Sequence, residues 1–106
     1  MDLVVFDHPS LEGHRSRESH PERPERVLAV RQALDRLPKS RIDHRIAPQV
    51  SLDDARRAHT PEHVARIAAL GEDEVALDAD TYAGPGTREA ALRAAGGAAA
   101  LGQALA

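Results

Sequence analysis

The stretch LVVFDHPSLEGHRSRESHPERPERVLAVRQALDRLPKSRIDHRI, residues 3–46, decides the fold class. Leu3 to Phe6 is a continuous, β-branched apolar run ahead of Asp7, the pattern of a buried strand opening an α/β sheet. Asp7 to Glu25 follows with His8, His14, His20 and Pro9, Pro21 and Pro24, and with neither a helical nor a strand period. It reads as a loop of about eighteen residues, a length that usually carries function or disorder. Pro24 suits a first helical turn, and Val27, Val30, Leu34 and Leu37 recur at i, i+3, i+7 and i+10, which predicts an amphipathic helix ending at Pro38. Ile42 to Ile46 alternates apolar and polar residues, a short half-buried strand before Pro48. Strand, long loop, helix and strand make the start of an α/β layered domain.

Downstream, Ser51 offers an N-cap with Asp54 at N3, predicting a two-turn helix through Ala58. Thr60 caps the next helix, whose first turn holds Pro61 and Glu62 and whose apolar face is Val64, Ile67 and Ala68, with Gly71 placed as its C-cap. LDADTYAGPG, residues 77–86, has turn residues throughout and reads as a loop. TREAALRAAGGAAALGQALA, residues 87–106, is a helix whose mid-helix Gly96 and Gly97 each cost about 1 kcal/mol relative to Ala. Paired small residues there predict close approach of another element. Because the helix runs uncapped to Ala106, that neighbour is expected outside this sequence, and two short strands cannot complete a sheet. There is no internal repeat.

The 106 residues allow one domain. Apolar residues at 42%, charged residues at 29% and a net charge of −3 are those of a folded soluble chain rather than a disordered one. Aromatics are only 2% while Ala fills 20 positions, so the core is built from the side chain that buries least area, and independent stability is expected to be marginal. Zero cysteines remove disulfide scaffolds, thiolate nucleophiles and Cys-based zinc sites. Met1 to Phe6 lacks a basic flank and an h-region, and Gly102 and Gln103 interrupt the Ala-rich tail, so no signal peptide and no membrane span is read and the cytoplasm is the expected compartment. The slight acidity argues against nonspecific nucleic-acid binding.

His8, His14 and His20 share a loop with Asp7, Glu12 and Glu18, a plausible zinc set by residue type. No H-x-x-x-H or H-x-H spacing within it presents two ligands from one element, so solvated side chains are the plainer reading. His59 and His63 are four apart but flank a cap and a proline, which fits a helix-end histidine and a surface residue. Ser10, Ser16, Ser19, Ser40 and Ser51 lie in polar loops or at a cap with no G-x-S-x-G turn. Gly84, Gly86, Gly96 and Gly97 make no phosphate loop, and Asp53 with Asp54, or Glu72, Asp73 and Glu74, read as solvated turn charges. SLDDARRAHTPEHVARIAAL, residues 51–70, has the outline of a helix-turn-helix and supports an alternative, a small stand-alone DNA- or protein-binding module. Its second helix offers Glu62, His63 and Arg66 rather than base-reading Asn, Gln or Lys.

HPERPERVLAV, residues 20–30, resembles the H-P-E-x-P-x-R segment near the start of the histone deacetylase and acetylpolyamine amidohydrolase superfamily, especially its class II-like bacterial members. SLDDARRAHTPEHVARI resembles the family's helix pair, with His63 where an aromatic is common, and LDADTYAGPGTREAALRAAGG resembles its acidic loop and double-glycine helix. The resemblance spans essentially all of residues 1–106. It implies the N-terminal portion of a three-layer, arginase-like α/β domain with a parallel sheet, whose complete form uses zinc to hydrolyse N-acetyl amides of lysine or polyamines. It also implies His20, Pro21 and Asp80 at the rim of a substrate tunnel and Arg26 beside a channel for released acetate, where a guanidinium suits the carboxylate. Read without the resemblance, Arg26 is a helix-start arginine paired with Glu22 or Glu25. The family's G-H-H dyad, D-x-H ligands and catalytic Tyr have no counterpart here, and the context of Tyr82 is not the catalytic one. The expected consequence is a fragment that binds no zinc, has no catalytic residue, is inactive alone, and has the missing C-terminal portion of its own domain as partner.

Overall fold

The computed structural model describes residues 3–16 and 20–106; Met1, Asp2, Glu18 and Ser19, all weighed above, lie outside them. Strand β1 (Leu3–Asp7) and strand β2 (Ile42–Ile46) pair in parallel, Leu3 opposite Ile42 through Asp7 opposite Ile46. The connection between them holds a 3₁₀ turn, Pro9–Gly13, and helix α1, Pro24–Asp35. After β2 come the single turn α2 (Leu52–Ala55), helix α3 (Pro61–Ala68), a two-residue hairpin of β3 (Val75–Ala76) and β4 (Tyr82–Ala83), and the long helix α4 (Thr87–Leu105). The fold is thus mixed helix and strand with a parallel pair, as the first 46 residues indicate.

Several boundaries differ from the sequence reading for local reasons. The polar loop is partly ordered because His8 caps the 3₁₀ turn, its Nδ1 accepting from the Ser10 N–H at 3.0 Å. Helix α1 stops at Asp35 instead of reaching Pro38, and its predicted stripe is not a buried face: Val30 is 60% exposed and Leu37 42%, while Val27, Arg31 and Leu34 turn partly inward. Helix α2 ends at Ala55 rather than Ala58, and α3 closes on Ala69 in a right-handed conformation, leaving Gly71 beyond the cap. The 77–86 loop contains β4, which pairs back on Val75 and Ala76.

The two N-caps form as read: Ser51 Oγ accepts from the Asp54 N–H and Thr60 Oγ1 from the His63 N–H, each at 3.1 Å. Replacing Thr60 with Ala leaves that N–H without its partner and is expected to cost about 1 kcal/mol, measured as a lower urea midpoint at unchanged m-value.

The neighbour of the double glycine lies within this chain, correcting the expectation that it would not. Residues 47–50 run along α4: the Val50 N–H donates to Leu92 O at 3.0 Å, Arg93 donates to Ala47 O at 3.0 Å, and Gln49 donates to Glu89 at 2.6 Å. A Cβ on Gly96 would meet the backbone of Pro48 and Gln49, the Gln49 carbonyl carbon at 2.7 Å, and one on Gly97 would meet Ala47 Cβ at 3.0 Å and Phe6 Cβ at 3.6 Å. Only glycine lets the segment after β2 lie this close to α4.

The buried apolar set is small: Ile42, Ala47, Val64, Ala83 and Ala90. The molecule is a slab of 41 × 34 × 19 Å with a radius of gyration of 15.0 Å, against about 13 Å for a closely packed chain of this length. Leu3, Val30, Ile46 and Leu105 remain exposed, so much of the apolar surface has no partner among the described residues.

Candidate functional site

Hairpin β3–β4 presents residues 77–81 as a tight acidic loop. The Leu77 N–H donates to Thr81 O at 2.8 Å, and the Asp80 N–H donates to Asp78 Oδ1 at 2.8 Å. The Asp80 amide first, then the Thr81 hydroxyl and amide, hold the Asp78 carboxyl below the usual aspartate range. From α3, Arg66 donates to Leu77 O at 2.7 Å and braces the loop, so the cation that a base-reading helix would have presented is occupied.

His20 lies against this loop: a small pocket is lined by His20 together with Asp78, Ala79, Asp80, Thr81 and Tyr82. The fold therefore brings together His20 and Asp80, sixty positions apart in sequence, as two walls of one depression. The ring is oriented by the chain after it, since the Glu22 N–H donates to His20 Nδ1 at 3.0 Å. Pro21 is exposed beside it.

Arg26, in the first turn of α1, is elsewhere. It lines a separate open groove of about 510 Å³ with Leu11, His14, Glu22, Val27 and Val30. Its expected partners are taken: Glu22 pairs with His14 at 3.2 Å and Glu25 with Arg23 at 3.4 Å. Among the described residues Arg26 makes no ion pair, so the plain reading of it as a helix-start pair with Glu22 or Glu25 does not hold.

Two arrangements escape a local reading of the sequence. Arg31 donates to both Asp7 carboxylate oxygens at 2.7 and 2.9 Å, to His8 O at 3.0 Å and to Glu12, fastening α1 to the end of β1. The Arg31 hydrogen bonds hold the Asp7 carboxyl below its ordinary range and raise the guanidinium. His14 lies between Thr87 Oγ1, 3.0 Å from its Nδ1, and Glu22, 3.2 Å from its Nε2. A hydroxyl, an imidazole and a carboxylate in a row resemble a nucleophilic triad, but Thr87 is 7% exposed and its oxygen already accepts from the Gly84 N–H at 2.8 Å. The row holds segments together: His14 and Glu22 reach the open groove, but the hydroxyl that would have to attack is buried. Both features join residues far apart in sequence, and only the mixture of Asp, Glu, His and Arg in the loop hinted at them.

The family model for the histone deacetylase domain matches residues 20–106. The chain belongs to the histone deacetylase family. Among solved structures, a crystal structure of an HDA15 HD domain is similar, with a TM-score of 0.77 and 28% identity, covering 94% of this chain and 30% of that one. The chain thus spans under a third of the length of that deacetylase structure. No curated protein matches the sequence. The residues of this deacetylase-family chain do not fit the zinc that the family implies: among the described residues no three His, Asp or Glu side chains converge on a point that would hold an ion. The His8, His14 and His20 set is spread over three separate hydrogen-bonded arrangements, with Ser10, with Thr87 and Glu22, and with the Glu22 amide. Segment 51–70, with α2 reduced to one turn, is part of the deacetylase match and not a free-standing helix-turn-helix.

Proposed function

We propose that this chain is the N-terminal portion, residues 1–106, of a zinc-dependent, arginase-like amidohydrolase domain of class II-like bacterial type that removes acetyl groups from lysine or polyamine nitrogens. The family match over residues 20–106 carries the reading. The shared pocket of His20 and Asp80 supports it, because a tunnel rim needs its loops side by side. In this reading His20, Pro21 and Asp80 position the substrate at the rim, and the guanidinium of Arg26, which makes no ion pair among the described residues, meets the released acetate through bidentate hydrogen bonds. The activating ion and the general base belong to the remainder of the domain, which is this chain's partner, and the acetylated amine is its substrate. Cytoplasmic residence, compatible with a cysteine-free sequence, belongs to the same reading.

Assay of the purified 106-residue chain with zinc and an acetyl-lysine peptide is expected to give no turnover, whereas the domain that contains it is expected to deacetylate the peptide or an acetylated polyamine. In that domain Arg26→Ala is expected to slow acetate release and lower kcat about tenfold or more. Chelator-sensitive turnover by the short chain alone, or a domain inert toward both substrates, overturns the reading.

A further inference from the structure

We infer that His14 is a proton-responsive pin between the loop carrying Glu22 and the start of α4, and that its protonation moves the grip from one end of the pin to the other. The geometry is closed at both ends. On the α4 side, Thr87 Oγ1 accepts from the Gly84 N–H at 2.8 Å and lies 3.0 Å from His14 Nδ1. On the loop side, His14 Nε2 lies 3.2 Å from the Glu22 carboxylate. His14 and Thr87 are 73 positions apart; beside them the Gly13 and Gly86 backbones pack against each other, and among the described residues no backbone hydrogen bond joins the two segments.

Donor and acceptor counting fixes the neutral state. With the Thr87 oxygen already accepting from Gly84, its own proton is free to point at His14 Nδ1, and a neutral ring with Nε2–H then donates to Glu22. Every group has a partner. When the ring takes a second proton, at Nδ1, it can only donate toward Thr87. The threonine oxygen must then accept from both Gly84 and His14, and its own proton loses its acceptor in a buried position. At the same time the Nε2–H bond to Glu22 becomes charge-assisted and stronger. Acidification thus loosens the Gly84–Thr87 turn and tightens Glu22, on the segment that bears His20 and Arg26. The Glu22 carboxyl is held below its ordinary range, first by the His14 hydrogen bond, so the partner on this side of the ring is a carboxylate acceptor.

Among the described residues, the other ionisable groups around His14 do not substitute for either partner. Arg23 and Arg26 line the same groove from the loop and α1, His20 lies near Glu22, and Glu12 on the 3₁₀ turn is engaged by Arg31. Helix α4 contributes the Thr87 hydroxyl. The link to substrate positioning rests on the function proposed above; the pin itself does not.

The test is NMR of the uniformly ¹⁵N-labelled 106-residue chain, which reads the tautomer and titration of His14 and the Gly84 amide whether or not the chain serves a deacetylase. The expected result is a neutral ring with the proton on Nε2, and a Gly84 amide resonance that shifts with the His14 midpoint. In Thr87→Ala the Gly84 step is lost, and in Thr87→Ser, which restores the hydroxyl, it is retained. A neutral ring protonated at Nδ1, a Gly84 amide flat across the His14 titration, or a step that survives in Thr87→Ala overturns the inference. The two wild-type readouts decide the matter even where a variant fails to fold.

Discussion

Gly96→Ala is expected to destabilise the chain by about 3 kcal/mol or more, although alanine is the better helix former by about 1 kcal/mol. The reversal of sign follows from what the new methyl meets. It would be driven into the backbone of Pro48 and Gln49, and backbone cannot rotate away as a side-chain tip does. Relief requires moving residues 47–50 off α4, which breaks the Val50-to-Leu92 and Arg93-to-Ala47 hydrogen bonds together. The same helix holds two controls. At Gly97 the new methyl meets Ala47 Cβ at 3.0 Å, so tight contact offsets the propensity gain and the change is expected to lie within about 1 kcal/mol of zero. At Gly102 nothing lies within 4 Å, and alanine is expected to stabilise by about 0.5–1 kcal/mol. Urea melts of the three variants are expected to give the order Gly102→Ala, then Gly97→Ala, then Gly96→Ala. A Gly96→Ala chain as stable as the parent would mean that the segment after β2 does not lie against α4.

Arg31→Met is expected to cost about 2 kcal/mol. Methionine keeps the apolar stem but removes the guanidinium, leaving Asp7 and Glu12 to face each other without a cation. Hydrogen bonds to charged groups contribute about 1.5–3 kcal/mol, and here the partners are 24% and 34% exposed, so solvent screening brings the figure to the lower half of that range. The loss also has a pH signature. The Asp7 carboxyl is lowered in the folded state, chiefly by the Arg31 hydrogen bond, so its contribution is present above the ordinary aspartate value of about 3.9 and fades as pH falls through the lower folded value. Between pH 7 and pH 3 the parent is expected to lose stability more steeply than Arg31→Met. Parallel acid profiles for the two would sink this assignment.

The legible part of the fold is the part written in short range. Leu3–Phe6 is a continuous β-branched run, Ile42–Ile46 alternates, and Ser51 and Thr60 have the side chains that an N-cap needs, so these elements and caps are where the sequence puts them. The apolar stripe of α1 misled because Arg31, a charged residue in its midst, faces inward to Asp7 while Val30 faces out; an ion pair outranks hydrophobic period when the helix covers the polar end of a strand. Gly96 and Gly97 announced a close approach, but periodicity cannot name the other surface, and residues 47–50 had no regular structure to draw notice. In the site, motif resemblance picked out His20 and Asp80 separately, and their shared pocket depends on the β3–β4 hairpin, whose two-residue strands are too short to give a signal. The His14–Thr87 contact spans 73 positions with no covarying pattern visible in one chain.

The parallel pairing of β1 with β2 also sets a schedule for folding. A parallel partner cannot be reached through a tight turn, so residues 8–41 must all be enclosed before the first ladder bond forms. During synthesis β1 therefore emerges as a lone strand and waits for some forty more residues. Its other cover, α4, comes later still, because Gly97 beside Phe6 lies near the opposite end of the chain. Local helices can form from nearby residues, whereas these contacts join segments widely spaced in sequence. Folding is expected to be slow for so small a chain.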